Sequence, residues 1–202
     1  MATLSPREKE IMTASHALFT RFGFSKTTME DIGKEVGLNQ ASLYHYFRNK
    51  EEIFLNVILD QISKLRAAIQ MAMRDVDGLE QRLVAFYKAK FRFLQDDTLL
   101  GQVIQLDRKK ISPETKKRIQ KVWSNEKEFV AAVIQNAIDN DEVPEIDTLR
   151  TAQVIIHITE GIRFTQARQS LMDDKERSSK EIETELEYAI SLFVNGIKQT
   201  KR

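Results

Sequence analysis

Glycine and proline are so scarce in this chain that long helices are what it is built to form. Its 202 residues include 7 Gly and 3 Pro, and these are the residues that punctuate regular structure most strongly. Between them, apolar side chains recur at helical spacing. Ile11, Ala14, Leu18 and Phe22 share one face, and Gly23 supplies a stop. Thr28 is suited to cap a second helix, with Asp31 three residues on, and Met29, Ile32 and Val36 line its apolar side as far as Gly37. Asn39 caps a third helix with Leu43 and Phe47 facing inward, and Asn49 caps a fourth with Glu51 and Glu52 in its first turn. Further helices are expected over 50–76, Leu79 to about Gln95, a shorter piece in 98–107, Pro113 to about Asn140, Leu149 to Leu171 and Ile182 to Ile197. The expected fold is all-α with about nine helices: a three-helix head over residues 1–52 and a larger helical body over 53–202.

Composition narrows the function classes. No run approaches the roughly 18 apolar residues of a membrane span, and Arg7, Glu8, Lys9 and Glu10 near the start are unlike a signal peptide. The expectation is a cytoplasmic protein with no membrane partner. There is no Cys, so neither a disulfide framework nor a thiolate metal site is possible. His16, His45 and His157 are too scattered for a metal centre, and no cofactor is expected. The net charge is +1, but residues 1–50 hold 7 Lys+Arg against 5 Asp+Glu, and 38–50 contain no acid.

The second and third helices, joined by Gly37-Leu38-Asn39, have the dimensions of a helix-turn-helix. With Leu43 set inward, Ala41, Tyr44, His45 and Arg48 face outward, and Gln40 and Ser42 flank them near the helix start. Short polar groups for base edges and longer ones for phosphates, without a carboxylate, make up what a recognition helix needs. A plain three-helix cap with a polar surface fits the same pattern.

The runs Phe22-Gly23-Phe24, Thr27-Thr28-Met29-Glu30-Asp31-Ile32, Val36-Gly37-Leu38 and Ser42 through Glu52 together resemble the DNA-binding head of the TetR family over about residues 7 to 55. The resemblance implies a transcriptional repressor that binds double-stranded operator DNA as a homodimer and is released by a small-molecule effector. It implies base or adjacent phosphate contacts for Gln40, Ala41 and Ser42, and backbone contacts for Thr28, Tyr44 and Lys50. Ala41 has no hydrogen-bonding group, so a thymine methyl is all it can read directly. Tyr46 stands where His is frequent, and the wheel sets it nearer the core.

In the body, the last two helices are expected to form the dimer surface. One is apolar on more than one face (Val154, Ile155, Ile156, Ile158, Ile162), and the other carries the stripe Ile182, Leu186, Ala189, Ile190, Phe193, Ile197. Alternatively, both complete the protomer's own core. Lys90, Glu126 and the row Gln153, His157, Glu160, Phe164 place polar groups where core is expected. Either Lys90 and Glu126 form a structural ion pair, or these groups fix a ligand in a cavity walled by Phe86, Tyr87 and Trp123. The basic run Arg108, Lys109, Lys110, Lys116, Lys117, Arg118 and Lys121 reads as a solvated helix junction before a second nucleic-acid surface. No nucleophile–base motif or phosphate loop is present, so catalysis is not expected. The competing reading is a ligand-independent DNA-binding factor whose body only dimerises or recruits a protein.

Overall fold

The computed structural model describes residues 4–96, 99–100, 111–123, 125–172 and 178–199, without the side chains of 122–123 and 166–172. Nine helices are present among them: α1 Pro6–Lys26, α2 Met29–Glu35, α3 Gln40–Tyr44, α4 Lys50–Met73, α5 Leu79–Asp96, α6 Pro113–Trp123, α7 Asn125–Asp139, α8 Thr148–Met172 and α9 Ser179–Lys198. No strand occurs among the described residues, and no helix there is long and apolar enough to cross a membrane.

The starts of the helices are chemically specified. Ser5, Thr28 and Ser178 each close a capping box with the acid three residues on, Glu8, Asp31 and Glu181. Asn39 and Asn49 accept the amides of Ser42 and Glu52 at 2.7 and 2.8 Å. Each such cap satisfies an otherwise orphaned N–H and is worth about 1 kcal/mol. The Ser178–Glu181 box starts α9 three residues before the first apolar residue of its stripe. Gly23 breaks α1 at φ +79, ψ 157. The helix expected from Pro113 to Asn140 is two helices, α6 and α7. Asn125 favours a helix start over an interior, and Glu126 and Glu128 fall in the new first turn of α7. The piece expected over 98–107 lies outside the described residues apart from 99–100.

The packing divides the chain into two units. One holds the residues through Lys64 together with Leu94–Trp123; the other holds Leu65–Phe93 and the chain from Ser124 onward. The first is centred on Ile11, Phe19, Ile32, Leu43, Ile53, Phe54 and Ile58, none more than fractionally exposed. Phe19, Phe24 and Phe54 pack as a trio with ring centroids 4.7 to 5.9 Å apart. There the Glu51 carboxylate accepts the Ser112 N–H at 2.8 Å and the Ser112 hydroxyl, tying the start of α4 to the start of α6. In the second unit, α5, α7, α8 and α9 bury Leu83, Val130, Ile134, Ile155, Ile190 and Val194. Asp141, at φ 57, turns the chain after α7. That turn aims Glu142 back at α5, where its carboxylate accepts the Leu79 N–H at 2.7 Å.

Candidate nucleic-acid interface and effector site

The geometry of α2 and α3 rests on two glycines. A Cβ on Gly33 would meet the Leu38 carbonyl oxygen at 2.7 Å, closer than any side chain tolerates, and the Gly33 carbonyl accepts the Leu38 N–H at 2.8 Å. Gly37 takes φ +66, a left-handed conformation that favours glycine. Arg7 on α1 donates to the Val36 carbonyl at 2.7 Å, holding the end of α2. With Leu43 and Phe47 buried beneath it, α3 presents Gln40, Ala41, Tyr44 and His45 to solvent, with Ser42 half-buried and Arg48 exposed just beyond. The Gln40 amide donates to the Tyr44 hydroxyl at 3.5 Å.

Tyr46 is exposed rather than near the core. The helix ends at Tyr44, so the 3.6-residue period used to place Tyr46 has already lapsed. Two other candidates are engaged locally. The Thr28 hydroxyl donates to the Asp31 carboxylate at 2.6 Å and accepts the Asp31 N–H at 3.1 Å. The Thr28 hydroxyl, and then the Thr28 N–H that donates to the same carboxylate at 2.8 Å, hold the Asp31 carboxyl below its ordinary value. Lys50 donates to the carbonyls of Phe24 and Thr27, both at 2.7 Å, with its nitrogen 4.5 Å from the Phe24 ring centroid. Burial there lowers its pKa, against the opposing pull of Asp31. Lys50 thus closes the end of α1 onto α4, with one ammonium proton left over.

In the second unit, Lys90 on α5 is 7% exposed. Its ammonium donates to both oxygens of Glu126 at 2.8 and 2.7 Å and to Glu160 at 2.9 Å. Arg163, one turn beyond Glu160, donates to its other oxygen at 2.9 and 2.7 Å. Burial alone would raise the Glu160 pKa, but Lys90 and then Arg163 outweigh it and hold it below the usual carboxylate range. Beside this quartet lies Tyr87, buried, its ring edge-on to Phe86 at 4.8 Å, and Phe86 in turn stacks on Phe129 at 5.3 Å. The Tyr87 hydroxyl makes no hydrogen bond of good geometry; the neighbouring Thr159 hydroxyl turns to the carbonyls of Ile155 and Ile156. Burial, and then the charge of Glu126, push the Tyr87 phenol well above its ordinary pKa.

The structure therefore brings Phe86, Tyr87, Lys90, Glu126 and Glu160 together, and adds Thr159 and Arg163. Arg163 was legible as a partner three residues from Glu160. Gln153 and His157 bond to each other at 2.9 Å, with His157 exposed, and neither joins the Lys90 quartet. They share the row of Glu160, but only its far end meets α5. The side chain of Trp123 lies outside the described residues. A separate surface groove of about 540 Å³ runs between α5 and α9, lined by Val84, Ala85, Thr184 and Tyr188 among others.

The apolar stripe of α9 is turned inward. Ile182, Leu186, Ile190 and Ile197 are buried within the protomer and Phe193 is half-buried, so that stripe builds the protomer's own core and is not a dimer surface. A second apolar set faces outward instead: Val154 at 44% and Phe164 at 70% on α8, and Tyr188 at 67% and Leu192 at 57% on α9.

Comparison with known proteins agrees with the geometry of the head. The family model for bacterial regulatory proteins of the tetR family matches residues 11–57, from within α1 through the start of α4. The fatty acid metabolism regulator protein of Bacillus subtilis is 20% identical over 151 residues, covering 75% of this chain and 78% of its own. The biofilm operon icaADBC HTH-type negative transcriptional regulator IcaR of Staphylococcus epidermidis is 29% identical over 121 residues, 56% of this chain and 61% of its own. The solved structure of the fatty acid degradation regulator FadR from Bacillus halodurans superposes with a TM-score of 0.72 at 17% identity, over 99% of this chain and 98% of that one. A helix-turn-helix built on Gly33 and Gly37, inside that matched segment of an all-α chain, gives the protein a DNA-binding head of the TetR family over residues 11–57.

Proposed function

We propose that the chain is a repressor working in the cytoplasm, in which residues 1–52 bind a palindromic operator and residues 53–202 dimerise and sense a small molecule. The observation that carries this reading is the exposed, carboxylate-free surface of α3, held out by a turn that only glycine fits. Gln40, Ala41 and Ser42 are assigned to base edges or the phosphates beside them. Tyr44, His45 and Arg48 are assigned to the backbone, as are the spare proton of Lys50 and the Thr28 end of α2. Recognition of two half-sites about 34 Å apart needs two heads, and the outward apolar set of Val154, Phe164, Tyr188 and Leu192 supports a homodimer through α8 and α9. Repression is supported by the name of the Staphylococcus epidermidis relative, a negative regulator. The Bacillus subtilis relative's name makes fatty acids the first effectors to test. An effector at Tyr87 and Lys90 need only favour one spacing of the two heads over another. Genome-wide mapping of bound DNA, followed by binding to the recovered operator with and without fatty acids, tests the proposal. Failure to enrich any palindromic site would remove it.

The saturated Lys90 quartet favours a second reading, a ligand-independent factor whose body only dimerises or recruits a protein. Lys90→Met separates the two. In a sensor it abolishes the effector response and leaves operator affinity intact; in a ligand-independent factor it acts on stability alone.

A further inference from the structure

The basic run set aside in the sequence lies, where it is described, in the same unit as the DNA-binding head. On α6, Glu114, Lys117, Arg118 and Lys121 fall at i, i+3, i+4 and i+7, all exposed, while Thr115 and Ile119 face inward and are buried. One outward stripe therefore carries three cations and a single acid. Lys117 and Arg118 make no ion pair among the described residues, whereas Lys34, Lys64, Lys88, Lys90, Arg92 and Arg163 are each paired with a carboxylate. The like charges Lys117 and Lys121, at i and i+4, work against the helix and offset what Glu114 gains from Lys117 and Arg118 one turn on.

Its position is fixed by Glu51, which accepts Ser112 at the start of α6. Glu51 directly follows Lys50 and lies three residues beyond Arg48 in the chain. At 1.5 Å rise per residue, Lys117 and Arg118 stand about 7–9 Å along the axis from Ser112, within about one Debye length at physiological salt. Three of the head's seven cations are already engaged within it: Lys50 by the carbonyls of Phe24 and Thr27, Lys34 by Glu30, and Arg7 by Glu10 and Val36.

We infer that the α6 stripe is a second, sequence-independent DNA surface that neutralises backbone phosphates flanking the segment read by α3. The inference rests on the DNA-binding reading of the head. It gives α6 an electrostatic role in capture and affinity but none in base preference, because long flexible cations on phosphates carry no sequence information.

The test uses the full chain and mixed-sequence duplexes of about 16 and 40 base pairs, with affinity followed by fluorescence anisotropy between 50 and 300 mM NaCl. The comparison is wild type against Lys117→Ala/Arg118→Ala and a charge-keeping Lys117→Arg control. Each phosphate neutralised contributes about 0.9 to the slope of log affinity against log salt. The double variant should flatten the slope on the long duplex by about two per protomer. Its loss of affinity between 50 and 200 mM salt is then about tenfold smaller than that of wild type for each protomer engaged. On the short duplex it should match wild type, and the control should match wild type on both. An unchanged slope on the long duplex overturns the inference, as does an equal change on both lengths. If wild type binds neither duplex at 50 mM salt, the DNA-binding reading itself fails.

Discussion

Replacing Lys90 by Met removes one charge from a buried quartet and leaves its carboxylates behind. Lys90 and Glu126 have side chains 8% and 18% exposed, so Glu126 loses its partner in a largely dry site. Breaking a buried ion pair costs about 3–5 kcal/mol. Glu160 retains Arg163 and its side chain is 36% exposed, which moderates the loss to about 2–3 kcal/mol. For a chain of this length each kcal/mol moves the melting midpoint by about 2–4 °C, so a fall of about 5–10 °C is expected. Lys90→Met/Glu126→Leu removes the stranded carboxylate and should recover most of it, since apolar replacement of a buried pair is often neutral. The acid limb gives a second readout. Glu160 is depressed in the folded state, so its contribution is fully present above the unfolded carboxylate value of about 4.3 and fades as pH falls through the folded one. Lys90→Met should therefore lose less stability than wild type between pH 5 and 3. Calorimetry of both variants at pH 7 and across that range decides the matter. A single variant as stable as wild type, or a double variant no better than the single, refutes the reasoning.

Three further outcomes are expected. Lys50→Ala should lower head stability by about 1–2 kcal/mol through the loss of its bonds to Phe24 and Thr27; denaturation without DNA would expose the error if stability were unchanged. Gly33→Ala should cost at least 1 kcal/mol and abolish operator binding, because its Cβ meets the Leu38 carbonyl, and amide spectra of α3 would move more than those of α1. Leu192→Glu should give a folded monomer by sedimentation at micromolar concentration, while Ile190→Lys, at a fully buried position, should not fold; a dimeric Leu192→Glu would remove the proposed α8–α9 interface.

What the sequence made legible was local. Thr28, Asn39 and Asn49 announce helix starts because a cap acts on amides two or three residues away, and Gly23 and Gly37 announce breaks because a positive φ is a property of the single residue. The inward faces of α2 and α3 follow from period alone. Long-range partners were harder. The anchoring of Lys50 depends on where Phe24 and Thr27 end α1, 26 and 23 residues away. A helical row names Gln153, His157 and Glu160 as neighbours but does not say which of them another helix will cross. On α9, the inward stripe hid a second apolar line at Tyr188 and Leu192, four residues apart, which the wheel contains but which only burial assigns to the outside.

The first amide of α5 is satisfied by a carboxylate 63 residues downstream, at the turn that Asp141 makes. A locally capped helix can flicker into existence before anything else does; this one lacks that licence at its leading end. Its opening turn is completed only after the chain through Glu142 has been made and bent, so in a nascent protein it stays frayed until the ribosome has moved well past it. Once folded, the Leu79 proton becomes a remote gauge. Its exchange with deuterium reports whether the corner after α7 is intact, and Glu142→Gln should speed that exchange while leaving the start of α9, which has Ser178 as its own cap, as slow as before.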